Sequence, residues 1–236
     1  MMIRSLLILV LLASLAKGAT ITVGPGDSIQ AAIFSAHAGD LILVREERYY
    51  EHLKVDKPLT LQGQGMPLLD ATASGSAITL KASGITISGF KILNAGSWPT
   101  DKGSEAGIVI LSNGNTIVGN DVSNNFNGII LRGGKNNSIR DNIVRGNLGF
   151  GIRLEKGSNN TVENNNIEKN KQNCFDDAIN FWIKNHYGEF DNPGEGCNDQ
   201  GNGICDSGFA IPGGGSEDPH PVIRSGLDFS QMTSHE

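Results

Sequence analysis

The loop "NDQGNGICD" (198–206) has the outline of a cation-binding turn. Asn198, Gln200 and Asn202 stand at its first, third and fifth positions, Gly203 supplies the bend, and Asp206 stands ninth. Calcium and other hard cations want carboxylate and carbonyl oxygens. Here the first three ligand positions are neutral amides, with Asp199, Glu195 and Asp191 close by, so the calcium candidates are Asn198, Asp199, Asn202 and Asp206. Cys197 and Cys205 fall eight apart in the same Gly-rich stretch and suit a small disulfide clip. That leaves Cys174 odd, either buried or the true partner of one of the other two. The spacing is no zinc pattern.

Cleavage of a sugar polymer needs carboxylates converging on one face with a base nearby. Asp176 and Asp177 are an acidic pair, but sequence neighbours in an extended chain point apart. Arg132 and Arg153 are 21 apart and suit contact with an anionic sugar. A copper site would call for clustered His and Met. His37, His52, His186, His220 and His235 are scattered, as are Met66 and Met232. Asn136-Asn137-Ser138 and Asn159-Asn160-Thr161 are glycosylation sequons, with Asn136 and Asn159 as acceptors. Phe175, Phe181, Trp182, Tyr187 and Phe190 suit either a sugar-stacking platform or a cover for the end of a core.

Segment 1–18, "MMIRSLLILVLLASLAKG", has a basic start, an apolar run from Leu6 to Leu15, and Ala16 and Gly18 at the −3 and −1 positions of a cleavage site. It reads as a secretory signal, too short to span a membrane. Its removal takes away Arg4 and Lys17, so the formal charge moves from 19 − 25 = −6 to 17 − 25 = −8. An acidic chain is a poor match for a phosphate backbone, which excludes nucleic acid as the expected partner.

These residues are carried by a repeat. "NTIVGNDVSNN" (115–125), "NSIRDNIVRGN" (137–147) and "NTVENNNIEKN" (160–170) share one pattern. Their central asparagines, Asn120, Asn142 and Asn165, are 22 and 23 apart, and "GIVIL", "GIILR" and "GIRLE" recur between them. A fixed period of this size, made of short β-branched runs between Gly, Asn and Ser turns, predicts an all-β parallel β-helix of about six to seven coils. Alternation predicts three inward columns: Ile108, Ile129 and Ile152; Ile117, Ile139 and Val162; Val122, Val144 and Ile167. Asn120, Asn142 and Asn165 fall where each coil bends and predict an asparagine ladder. Asn164, Asn166 and Asn170 are expected to be outward or turn residues. In this register Asp121 stands level with Ile143 and Asn166, and Asp141 with Gly119 and Asn164, so no acidic pair stacks. Arg140 stands over Glu163 as an exposed charge pair. A short helix within 26–40, capped by Asp27 with Gln30 and ended by Gly39, is expected to close the first coil. The expected organisation is a β-helix over 19–172 and a closing segment over 173–236.

The opening "ITVGPGDSIQAAIFSAHAGDLILVREERYYEHLKVDKPLTLQGQGMPLLDA" (21–71) resembles the start of NosD-like right-handed parallel β-helix proteins. The repeats match that family's unit, and 173–197 with 202–222 resembles its closing segment. The resemblance implies an exported protein with a pectate-lyase-like fold. It implies either a carbohydrate-binding or sugar-hydrolysing module, or an accessory role in delivering copper to an enzyme beside an envelope transporter. The expectation is a non-catalytic module at the cell envelope that binds a carbohydrate polymer or an envelope protein. Copper delivery and a weak polysaccharide lyase or hydrolase are the alternatives. Calcium and copper are the cofactors in question.

Overall fold

The computed structural model describes residues 18–96, 105–224 and 226–227, so the expected signal over 1–17 lies outside the described residues. The chain winds as a parallel β-helix of about seven coils with three sheets. The first sheet has eight parallel strands in sequential order, from Thr20–Val23 to Phe181–Ile183. The second has seven, from Arg48–Tyr49 to His186–Tyr187, and the third six, from Leu53–Val55 to Gln172–Asp176. Strands are short because each coil must turn three corners, and each strand pairs with its counterpart one coil away.

Alternation places the core. In the third sheet Ile108, Ile129, Ile152 and Cys174 stack in register, all at 1% exposure or less. Ile117, Ile139, Val162 and Trp182 form the column of the first sheet. Val144, Ile167 and Tyr187 continue the column of the second below Val122. Each buried aliphatic contributes roughly 1.5–3 kcal/mol.

The corners are closed by three asparagine ladders, where one was expected. Asn120, Asn142, Asn165 and Asn185 form the first: each Oδ1 accepts the backbone N–H of the residue one coil before it. Each Nδ2 also donates to the next Oδ1, at 3.1, 3.0 and 2.9 Å. Asn115, Asn137, Asn160 and Asn180 form the second ladder. Asn125, Asn147, Asn170 and Asn173 form the third. Asn170 is therefore a corner residue in a ladder, whereas Asn164 is a turn residue with φ 53°.

Stacking also runs past residue 172. Strands Gln172–Asp176, Phe181–Ile183 and His186–Tyr187 add a coil, shorter than its predecessors: Asn165 to Asn185 is 20 residues. Cys174 accordingly lies in the core column, not in the closing segment. The first ladder ends on Asp218, which accepts from the N–H and Nδ2 of Asn185 and from the Tyr187 hydroxyl. The second ends on Ser216, whose Oγ accepts the Asn180 N–H and donates to Asp176.

At the other end the helix is Ile29–Ser35 and its N-cap is Ser28, not Asp27. Asp27 instead accepts the Gly24 N–H. The reason is Glu51 on the next coil, which accepts from Ser28 Oγ and from the amides of Ile29 and Gln30. Those orphan N–H groups need an acceptor, and a carboxylate at the positive helix end serves. The helix ends at Ala36, three residues before Gly39.

Candidate functional site

The outer face of the third sheet carries what chemistry the coils display. Its outward residues, one per coil, are Lys54, Thr79, Val109, Ile130, Arg153 and Phe175 in register. Leu111, Arg132 and Glu155 follow in the next outward rank. Two clefts open on this face.

The first, about 450 Å³, is lined by His52, Lys54, Thr79, Lys81, Leu111 and Arg132, among others. Lys54 and Lys81 are exposed, and their ammonium groups have no hydrogen bond or ion pair among the described residues. His52 is fixed: Nδ1 faces the Ser76 carbonyl at 3.0 Å, which can only accept, so Nδ1 carries the proton. The apolar lining is Leu53, Val109 and Leu111, of which Leu111 is exposed. Val109 and Ile130 point out of the coil yet are buried with Ala106 in a small separate cluster.

The expected proximity of Arg132 and Arg153 takes the form of a shared carboxylate. Arg132 Nε donates to Glu155 Oε2 at 3.0 Å and Arg153 Nη2 to Glu155 Oε1 at 2.8 Å. Two cations and one anion leave the group positive. Arg153 also lies 4.5 Å from the Phe150 ring centre and 5.2 Å from that of Phe175, which meet edge to face at 5.8 Å. Cation–π contacts of this kind hold a guanidinium flat against the sheet.

The second cleft, about 360 Å³, lies at the corner between the second and third sheets. Phe126, Asn127, Leu148, Gly149, Phe150, Lys171 and Gln172 line it.

The other expected residues are placed as follows. Asp199 Oδ1 accepts the amides of Gly201, Asn202 and Gly203, Asn202 Oδ1 accepts that of Ile204, and Asp206 Oδ2 accepts from Gln200. These hydrogen bonds shape the loop, and Asn198 contributes its carbonyl to the Asp206 N–H. Among the described residues no group of three or more His, Cys, Asp or Glu converges. Cys197 is joined to Cys205, and Cys174 is free and buried. Burial pushes the Cys174 thiol far up, with Glu189 among the carboxylates that add to it. Asn136 and Asn159 are exposed on consecutive coils, both in left-handed turns at φ 56° and 57°. Asp176 is buried, accepting from Asn180, Trp182 and Ser216, while Asp177 accepts the Lys156 N–H at the surface. Arg140 stands level with Glu163 but pairs with its neighbour Asp141 at 2.7 Å. Trp182, Tyr187 and Phe190 are buried at the end of the stack, and Phe181 is exposed.

Residues 66–204, more than half of the chain, match the family described as "Right handed beta helix region". The chain belongs to this family. As a right-handed β-helix it is similar to the crystal structure of pectate lyase Pel9A, with a TM-score of 0.51 and 14% identity. The likeness covers 74% of this chain and 63% of that one, so this chain spans less than two thirds of the enzyme, and what the likeness shows is the fold. None of the curated proteins matches the chain.

Of the basic residues of the first cleft, Arg132 was legible in the sequence and the two lysines were not. Lys54 and Lys81 lie in "HLKVD" and "ITLKAS", where alternation between inward Leu53 and Val55, and inward Ile78 and Leu80, is the available signal. The Phe126–Phe150 corner was unread because its aromatics belong to coils whose repeat signal is carried by Ile and Asn.

Proposed function

We propose that this protein is an exported, non-catalytic β-helix that binds an acidic polysaccharide along the outer face of its third sheet. The observation that carries this reading is the first cleft. In a chain of formal charge −6, Lys54, Lys81 and Arg132 gather on one face beside this apolar lining. Coils rise about 4.8 Å each, and with Lys54, Lys81 and Arg132 on the first, second and fourth levels of this sheet the cations can meet carboxylates that recur along a polymer. The ammonium groups of Lys54 and Lys81 are exposed and have no hydrogen bond or ion pair among the described residues, so they are available to a ligand. The similarity to a pectate lyase makes polygalacturonate the first acidic polymer to try.

Binding without cleavage is favoured by Glu155. It is the carboxylate at the centre of this face, and both its oxygens are taken by arginine N–H groups. A general base must be directed at the substrate proton, and Glu155 is directed at the two arginines instead.

The test is paired. Incubation of the full chain with polygalacturonate is expected to release neither reducing ends nor unsaturated product, and either product would make the protein an enzyme. Lys54→Glu with Lys81→Glu is expected to weaken binding by about tenfold, the equivalent of roughly 1.4 kcal/mol. Unchanged affinity would move the site off this face.

A further inference from the structure

The second cleft has features that folding alone does not require. Leu148 is 54% exposed, a large apolar side chain left in solvent at the rim. Phe126 and Phe150 line the cleft on consecutive coils, and Lys171 and Gln172 close it on the third. Its floor is fixed. Asn127 Oδ1 accepts the Phe150 N–H at 2.9 Å and Asn127 Nδ2 donates to the Glu105 carbonyl at 2.8 Å. Gly149 is required there, since a Cβ would collide with Asn127 Oδ1. The Phe150 ring is held by Arg153 and by the edge of Phe175. A rigid aromatic wall on a fixed floor is preorganised for a ligand.

The polar groups narrow the ligand. Lys171 is exposed, and its ammonium has no partner among the described residues. Gln172 donates through Nε2 to the Cys174 carbonyl at 3.2 Å, which leaves its Oε1 to accept. One aromatic face, one cation and one amide acceptor together match a pyranose: an apolar C–H face, a carboxylate and ring hydroxyls.

We propose that this corner is a second sugar subsite, taking one acidic pyranose unit with its C–H face on Phe150 and its carboxylate on Lys171. This deepens the reading of the protein as an acidic-polysaccharide binder and rests on it. The two clefts occupy successive coil levels along the third sheet, the second displaced toward the starts of its strands. The first spans the third-sheet strands from Lys54 to Arg132, and the second the coils from Phe126 to Gln172. Together they cover six coil levels of that sheet, five steps of about 4.8 Å, or roughly 24 Å. A short acidic oligosaccharide reaches the first cleft alone; a longer one reaches both.

The experiment is calorimetric titration of the full chain with galacturonate trimer and hexamer, and with an uncharged hexamer of the same length. The hexamer is expected to bind about tenfold more tightly than the trimer. Leu148→Ser, Phe150→Ala and Lys171→Glu are each expected to remove most of that advantage while leaving trimer affinity within about twofold. Leu148→Ser and Lys171→Glu alter exposed side chains, so they report even where Phe150→Ala fails to fold. If all folded variants keep the full hexamer advantage while Lys54→Glu with Lys81→Glu weakens binding about tenfold, the second subsite is overturned and the polysaccharide reading stands. Equal binding of the uncharged hexamer overturns the assignment to an acidic unit. If neither acidic oligomer binds, the reading and the subsite fall together.

Discussion

The coils after Asn115 and those before Phe90 close their corners by different chemistry. From Asn115 on, asparagine side chains stack coil after coil in three ladders. The chain has no asparagine before Asn94, and there the corners rely on carboxylates: Asp40 accepts the amides of Ala19 and His37, Glu51 caps the helix, and Asp70 accepts from Arg48, Asn94 and Thr72. The difference lies in hydrogen-bonding capacity. An amide both donates and accepts, so it can pass the pattern to the next coil, whereas an ionised carboxylate only accepts and ends it. The ladders obey this. The first stops on Asp218, and the third stops where Asn173 Nδ2 meets Glu189. The regular half is therefore a propagating array and the early half a set of separate solutions.

The sharpest way to break this comparison is at Asn142, which donates to the carbonyls of Ile117 and Arg140 and to Asn165 Oδ1 while accepting from Asn120. Asn142→Ala leaves buried groups on two coils unpaired and is expected to cost about 3 kcal/mol. Asn142→Asp is expected to cost at least as much at neutral pH, since a buried carboxylate cannot donate upward. Chemical denaturation checks both, and a tolerated aspartate would mean that the ladder does not need its donors.

A change in the early half should stay local. Asp70→Ala is expected to cost about 1–2 kcal/mol, with hydrogen-exchange protection lost around Leu41–Asp70 and retained beyond Asn115. Acid makes the same distinction without mutation. Burial pushes the Asp70 carboxyl up, but Arg48, Asn94 and the Thr72 amide outweigh it, so the group lies below its ordinary 3.8. A folded value below the unfolded one means that the contribution is complete above about the ordinary value and is lost as pH falls through the lowered one. The early coils should therefore lose exchange protection before the central coils on acidification, because asparagine does not titrate. The smallest effect belongs to the outward hydroxyls of the first sheet: Thr116→Ala is expected to shift stability by no more than about 0.5 kcal/mol.

The same contrast explains what the sequence disclosed. The fold was legible where the array is regular, because Asn120, Asn142 and Asn165 recur with inward Ile and Val at fixed offsets. The third ladder was missed at Asn170, where the adjoining turn varies. The last coil was missed because it shortens the step from Asn165 to Asn185 to 20 residues. The proposed binding face was legible only in its regular half, at Arg132 and Arg153. Lys54 stands level with Thr79 after 25 residues, and Thr79 with Val109 after 30, so no constant spacing links the two lysines to the arginines. Side-chain direction in a parallel sheet is set by strand register, and register across loops of unequal length is a three-dimensional fact.

The most direct measurement is equilibrium binding of the full chain to polygalacturonate and to an uncharged polysaccharide, each at low and high salt. Selective binding of the acidic polymer, weakening steeply as salt screens the exposed Lys54 and Lys81, is the expected result. No binding, or equal and salt-independent binding of both polymers, would contradict the account.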